Sequence, residues 1–155
     1  MSLFDDQRDM LRQVAEALGE ELREHVAFVG GCTTGLLLTD PFTREQVRST
    51  DDVDLIISVM TYANLHRFKE MLKAHGFKEP SSMDEDMPIC AMKLGELRVD
   101  LMPDDDEVMG FSNHWYPQAL KTAEPISLGG DLTIRVVTPP LFVATKLEAL
   151  SLIHI

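Results

Sequence analysis

Long apolar runs are missing from this 155-residue chain. No stretch approaches the ~20 residues that a membrane-spanning helix needs, and the start Met1-Ser2-Leu3-Phe4-Asp5-Asp6 lacks the basic, then apolar build of a signal peptide. Those absences predict a cytoplasmic protein with no membrane partner. Cysteine is scarce: the two present, Cys32 and Cys90, match no zinc spacing and require no disulfide, which suits a reducing compartment. Basic residues are outnumbered, 14 Lys and Arg against 26 Asp and Glu, for a net charge of −12. Broad, unspecific nucleic-acid binding is driven by neutralising phosphates with Lys and Arg, so this balance disfavours it. There is no Gly-x-Gly-x-x-Gly fingerprint and no nucleophile elbow, which removes hydride transfer on a dinucleotide and triad hydrolysis. Nor do His25, His66, His75, His114 and His154 show a spacing suited to zinc.

What is present predicts one domain, residues 1–155, with an apolar share of 45% that is ordinary for a globular protein with a real core. Leu11, Val14, Leu18 and Leu22 recur at helical spacing and predict an amphipathic helix from Leu3 to Glu24. Val26 to Val29 reads as a short buried strand, Cys32 to Leu38 as the start of a helix, and Thr39 to Ser49, with Pro41, as a loop. Val53 to Val59 is a β-branched strand, followed by Thr61 as N-cap of a helix to about His75. Phe77 to Glu79 reads as a short edge strand. Two hairpins follow, Pro88–Lys93 with Glu96–Leu101 and Pro125–Leu128 with Leu132–Val137, separated by an acidic loop and a short helix over Asn113–Ala123. Thr138-Pro139-Pro140 then opens a helix from Leu141 to about Leu150, with proline at its first turn. This order predicts an α/β (α+β) sandwich around a mixed β-sheet with flanking helices.

Charge is hardest to explain at Asp51-Asp52-Val53-Asp54, the head of an apolar strand. Side chains at i and i+2 of a strand leave the same face about 6–7 Å apart, so Asp52 and Asp54 point into one space. Like charges that close raise each other's pKa unless a cation sits between them. A hard, oxygen-seeking ion such as Mg²⁺ (or Mn²⁺) provides that cation and usually brings phosphates with it. The plain alternative is a solvated acidic loop capping the strand. Two further features bear on the choice. Upstream, Ala27-Phe28-Val29 ends in Gly30-Gly31-Cys32-Thr33-Thr34, where glycine lets backbone approach a ligand and free N–H groups favour anions. Downstream, Glu96-Leu97-Arg98-Val99-Asp100-Leu101 places Asp100 amid apolar neighbours. If that strand pairs beside the first, Asp100 comes within about 5 Å of the other two carboxylates.

A glycine pair leading into a helix, Asp-x-Asp on the next strand and a lone Asp on a later strand resemble the polymerase-β-like nucleotidyltransferases. Over roughly Phe28 to Leu150 the chain is similar to their minimal bacterial members, the AbiEii-type group of abortive-infection and toxin–antitoxin systems. The resemblance implies that Asp52, Asp54 and Asp100 are metal ligands and catalytic, Asp100 also helping to deprotonate the attacking hydroxyl. It implies that Gly30 and Gly31 cradle the phosphates of an NTP. Cys32 stands where many relatives have serine; a thiol donates poorly to phosphate, so Thr33 or Thr34 is expected to supply the hydroxyl. Lys146 matches the family's triphosphate-pairing lysine, although a lone lysine in an apolar helix also fits one that snorkels to water. The implied activity is transfer of an NMP to a hydroxyl of a tRNA, a protein or a small molecule, with an antitoxin as partner. The chain stops at Ser151-Leu152-Ile153-His154-Ile155 where relatives continue, so a C-terminal truncation is expected.

Weaker candidates have plainer readings. Trp115 and Tyr116 could stack on a base, but are expected instead to pack a short helix into the core. Asp84, Glu85, Asp86 and Asp104 to Glu107 read as solvated loops. Thr145 and Glu148 read as solvent-facing or supporting, Thr50 as a group that orients the strand, and Arg44 and Arg48 as candidate phosphate contacts. The competing function is a non-catalytic binding or regulatory module.

Overall fold

Alternating apolar residues on four strands give the chain a sheet with two sticky faces, and helices cover both. The structure, a computed structural model, describes residues 3–33, 36, 52–58, 62–80, 91–104 and 114–153. Within them the order is α1 (Leu3–Arg23), β1 (Val26–Val29), a 3-10 turn (Gly31–Thr33), β2 (Asp52–Ile57), α2 (Tyr62–Ala74), β3 (Ala91–Leu94), β4 (Leu97–Pro103), α3 (Tyr116–Thr122), β5 (Glu124–Ser127), β6 (Thr133–Val136) and α4 (Pro139–Ile153). The strands form one six-stranded mixed sheet in the order β3-β4-β2-β1-β6-β5. β1 runs antiparallel to β2 and parallel to β6, β2 runs parallel to β4, and the β3–β4 and β5–β6 pairs are the two expected hairpins.

On one face Val26 and Phe28 of β1, Val53, Leu55 and Ile57 of β2, and Val99 and Leu101 of β4 form a core with Leu11, Val14, Leu18 and Leu22 of α1 and Leu65 and Leu72 of α2. The helical spacing predicted for α1 is thus the stripe it buries. On the other face Ala27, Val29 and Ile56 meet Ala119 and Leu120 of α3, with Leu141 and Phe142 of α4 packed alongside. Since paired residues share a face, every residue of β2 from Asp52 to Ile57 is assigned to a layer by its parity.

Several expectations shift in detail. α1 is broken at Gly19 (φ 78°, ψ 165°), a conformation open to glycine. The break exposes carbonyls that other groups recover: the Arg23 guanidinium donates to Ala15 O at 2.9 Å, and His75 Nδ1 lies 3.0 Å from Ala17 O. The edge strand expected at Phe77–Glu79 is a single bridge between Lys78 and Lys93, because Phe77 turns into the core. Trp115 does not pack inside. It sits at the N-cap of α3, its carbonyl accepting the Ala119 N–H at 2.8 Å, and is 38% exposed, edge-on to His114. Of the two readings for Thr145, burial removes the solvent-facing one and leaves the supporting one, its hydroxyl donating to Phe142 O at 2.9 Å. The expectations for Thr34, Arg44, Arg48, Thr50, Asp51, Thr61, Asp84, Glu85, Asp86, Cys90, Asp105 to Glu107, Asn113 and His154 lie outside the described residues. Among the described residues no helix is long and apolar enough to cross a membrane.

Phe28 sits on a central strand with no accessible surface. Phe28→Ala is expected to cost about 3–5 kcal/mol of unfolding free energy, read as a fall in the urea midpoint at unchanged slope.

Candidate metal centre

β2 and β4 lie side by side and in parallel, pairing Asp52 with Arg98, Val53 with Val99 and Asp54 with Asp100. Asp52 and Asp54 are two apart on β2, and Arg98 and Asp100 two apart on β4, so all four leave the same face. The result is a two-by-two block of three carboxylates and one guanidinium. One oxygen from each of Asp52, Asp54 and Asp100 falls within 4.8 Å of the others. The cross-strand approach anticipated for Asp100 is therefore present. Among the described residues it is the one such group of three potential ligands, and no histidine belongs to it.

The layer assignment explains why charge is tolerated here. Asp54 follows Val53 and precedes Leu55, both in the α1/α2 core, so its own side chain faces the α3/α4 layer, beside Val29 of β1. There a cleft of about 210 Å³ opens between the sheet and the helices, lined by Val29, Gly30, Asp54, Tyr116, Phe142 and Lys146 among others. Asp100 is buried, and Asp54 Oδ1 is buried with no hydrogen-bond partner. A buried carboxylate oxygen without a donor is costly. Burial pushes the Asp54 carboxyl from its ordinary 3.8 up to about 8, the charges of Asp52 and Asp100 push the same way, and Arg98 opposes them. Burial also raises Asp100, while the hydrogen bond and charge of Arg98 pull it back. Arg98 Nε donates to Asp100 Oδ1 at 2.8 Å.

The glycine turn completes the rim. Gly30 has φ +90°, and a Cβ there would collide with Asp54 Oδ2. Any larger residue would enter the carboxylate site, so glycine is required on both conformational and steric grounds. Gly31 opens the 3-10 turn. Thr33, expected to offer its hydroxyl to a phosphate, is fully buried and donates instead to Gly30 O at 2.8 Å, bracing the turn from within. Cys32 is likewise buried; its thiol donates to Asp52 O at 3.1 Å and so ties the turn to the entry of β2. Lys146, exposed on α4, lines the cleft with Gly30 and Asp54, and Glu148 accepts the His114 N–H at 2.6 Å. Tyr116, weighed above as core packing against base stacking, both packs against the α3 cluster and lines the cleft, and Arg98 joins the site without having been singled out for it. Arg98 was legible as a basic residue two before Asp100 on the same strand.

The residues present fit a hard divalent cation. The donor set is all oxygen, Asp54 Oδ1 has no hydrogen-bond partner among the described residues, and glycine keeps side-chain bulk out of the space beside it. A comparison with models of known protein families finds none that matches the chain, and a search of curated proteins finds no match either.

Because Asp54 and Asp100 bind their protons more tightly folded than unfolded, the native state gains protons relative to the unfolded chain between their ordinary and raised pKa values. Stability in EDTA should therefore be fully present below about pH 4 as far as these groups are concerned, and be lost as the pH rises toward 8. Asp54→Asn should flatten that slope. At pH 8 it should exceed the wild type by about 1–3 kcal/mol, a range discounted for partial solvent access. Urea unfolding at pH 5 and pH 8 checks both statements.

Proposed function

We propose that this protein is a metal-dependent nucleotidyltransferase of the polymerase-β-like type, transferring an NMP from an NTP to a hydroxyl and releasing pyrophosphate. The observation that carries the reading is the in-register placement of Asp54 opposite Asp100, which gathers three carboxylates beside a glycine turn. Asp52, Asp54 and Asp100 would hold Mg²⁺ or Mn²⁺. The ion, when bound, neutralises charge on a polyphosphate and lowers the cost of forming an alkoxide.

The chain's own groups divide the remaining work. Glycine at position 30 lets the backbone lie against the Asp54 carboxylate, and with Gly31 it would offer backbone N–H groups to a phosphate chain. Lys146 reaches the same cleft from α4 and offers an ammonium to the polyphosphate. Tyr116 and Phe142 give the cleft an aromatic wall suited to the flat face of a base. Asp100 accepts the proton of the attacking hydroxyl, whose oxygen bonds to the α-phosphorus as the bond to pyrophosphate breaks. Most of the rate enhancement in such a site comes from positioning and fixed charge.

The proposed acceptor is a tRNA end, a protein hydroxyl or a small molecule, and the proposed setting is a toxin–antitoxin pair in the cytoplasm. Thr34, which the family pattern also assigns to phosphate binding, lies outside the described residues. Incubation with each labelled NTP, Mg²⁺ and total RNA or a cell extract identifies the nucleotide and the acceptor together. Asp52→Ala and Asp54→Ala should each lower transfer at least ~10²-fold, about 2.7 kcal/mol of transition-state stabilisation. NTP binding that ignores Mg²⁺ and survives both substitutions would instead identify a non-catalytic module.

A further inference from the structure

Arg98 is the fourth member of the carboxylate block and, among the described residues, the cation that an ion pair joins to it. It lies in register with Asp52 across the β2–β4 ladder, and its Nε contacts Asp100 Oδ1 at 2.8 Å along its own strand. The two partners differ in freedom. The Asp100 side chain is 7% exposed, on a short stem inside the sheet, whereas that of Arg98 is 37% exposed, on a long stem that reaches water. If the contact opens, the arginine is the partner that moves.

We propose that Arg98 is a built-in counter-cation: in the metal-free chain its guanidinium holds Asp100, and it swings toward solvent when a divalent ion takes the three carboxylates. Resting on the metal-centre reading given above, this adds a residue that governs how readily the ion enters. Without a cation, three carboxylates within 4.8 Å repel one another. Arg98 offsets part of that repulsion, so the fold stands before the ion arrives. The same positive charge then opposes the incoming ion. Arg98 therefore stabilises the empty state and weakens the loaded one, and the two effects have one electrostatic cause.

The test is Mn²⁺ titration of the full chain at fixed ionic strength, followed by electron paramagnetic resonance of free Mn²⁺, on the wild type, Arg98→Met, Arg98→Gln, Arg98→Lys and Asp54→Asn. Loss of the charge should tighten Mn²⁺ binding about tenfold in Arg98→Met, on the scale of one unit charge a few ångströms from a divalent ion. Arg98→Gln, neutral yet able to donate to Asp100, should show the same tightening and serves if Arg98→Met fails to fold. Arg98→Lys keeps the charge and should stay within about twofold of the wild type. In EDTA the neutral variants should melt below the wild type, and Mn²⁺ should raise their Tm by more than it raises that of the wild type. A merely structural arginine would lower Tm without tightening Mn²⁺. Unchanged or weaker Mn²⁺ binding by the neutral variants, with the wild type binding and Asp54→Asn not, overturns the role of Arg98 and leaves the metal centre standing. No Mn²⁺ uptake by any of the five overturns both. Uptake by the neutral variants alone supports the counter-cation in its strongest form.

Discussion

Sliding β4 by one residue along β2 would turn Asp100 to the α1/α2 side and bring Val99 opposite the carboxylates, leaving two buried apolar residues facing a wet cleft. The register that prevents this is held from the other face of the sheet. There Val53, Leu55 and Ile57 lie beside Val99, Leu101 and Pro103, and all but the last belong to the main core. A one-residue slip of β4 would turn Val99 and Leu101 out of that core, and each fully buried aliphatic side chain contributes about 1.5–3 kcal/mol. The chemistry on one face is thus positioned by apolar packing on the opposite one.

That arrangement also explains how so unfavourable a cluster persists. Three carboxylates, one of them with an orphaned buried oxygen, work against folding. The surrounding strands supply the compensating burial, and Arg98 supplies partial neutralisation. Cys32 and Thr33, buried behind the glycine turn, spend their donors on Asp52 O and Gly30 O. They act as internal braces that keep the turn against β2. Destabilising groups are thus concentrated at one place, and the strands, Arg98 and the braced turn offset their cost.

The carboxylate trio was legible in the sequence because strand parity is a strict code: Asp-x-Asp on one apolar strand and Asp on another can meet only if they share a face. The α1 stripe was legible for a similar reason, its period matching the helix. Other features depend on groups distant in sequence. Nothing local to Gly19 announces a break, since its freed carbonyls are recovered partly by His75 from beyond α2. Thr33 has the composition of a phosphate ligand, and only the turn geometry directs its hydroxyl inward to Gly30 O. Trp115 reads as core by size, yet it sits one residue outside the helix whose buried side begins at Ala119. Arg98 was legible by parity, two before Asp100 on one strand, whereas its place opposite Asp52 depends on the pairing of β4 with β2.

The parallel pairing of β2 with β4 carries a temporal consequence. Parallel neighbours cannot be joined by a tight turn; here the chain passes through α2 and β3 before β4 can dock. Asp52 and Asp54 emerge together on one strand, and Asp100 comes from a segment that arrives much later along the chain. Non-local ladders of this kind close slowly, after the cost of the intervening loop has been met. The carboxylate trio is thus complete only once this crossover has closed, so its assembly reports on that step of the topology rather than on either strand alone.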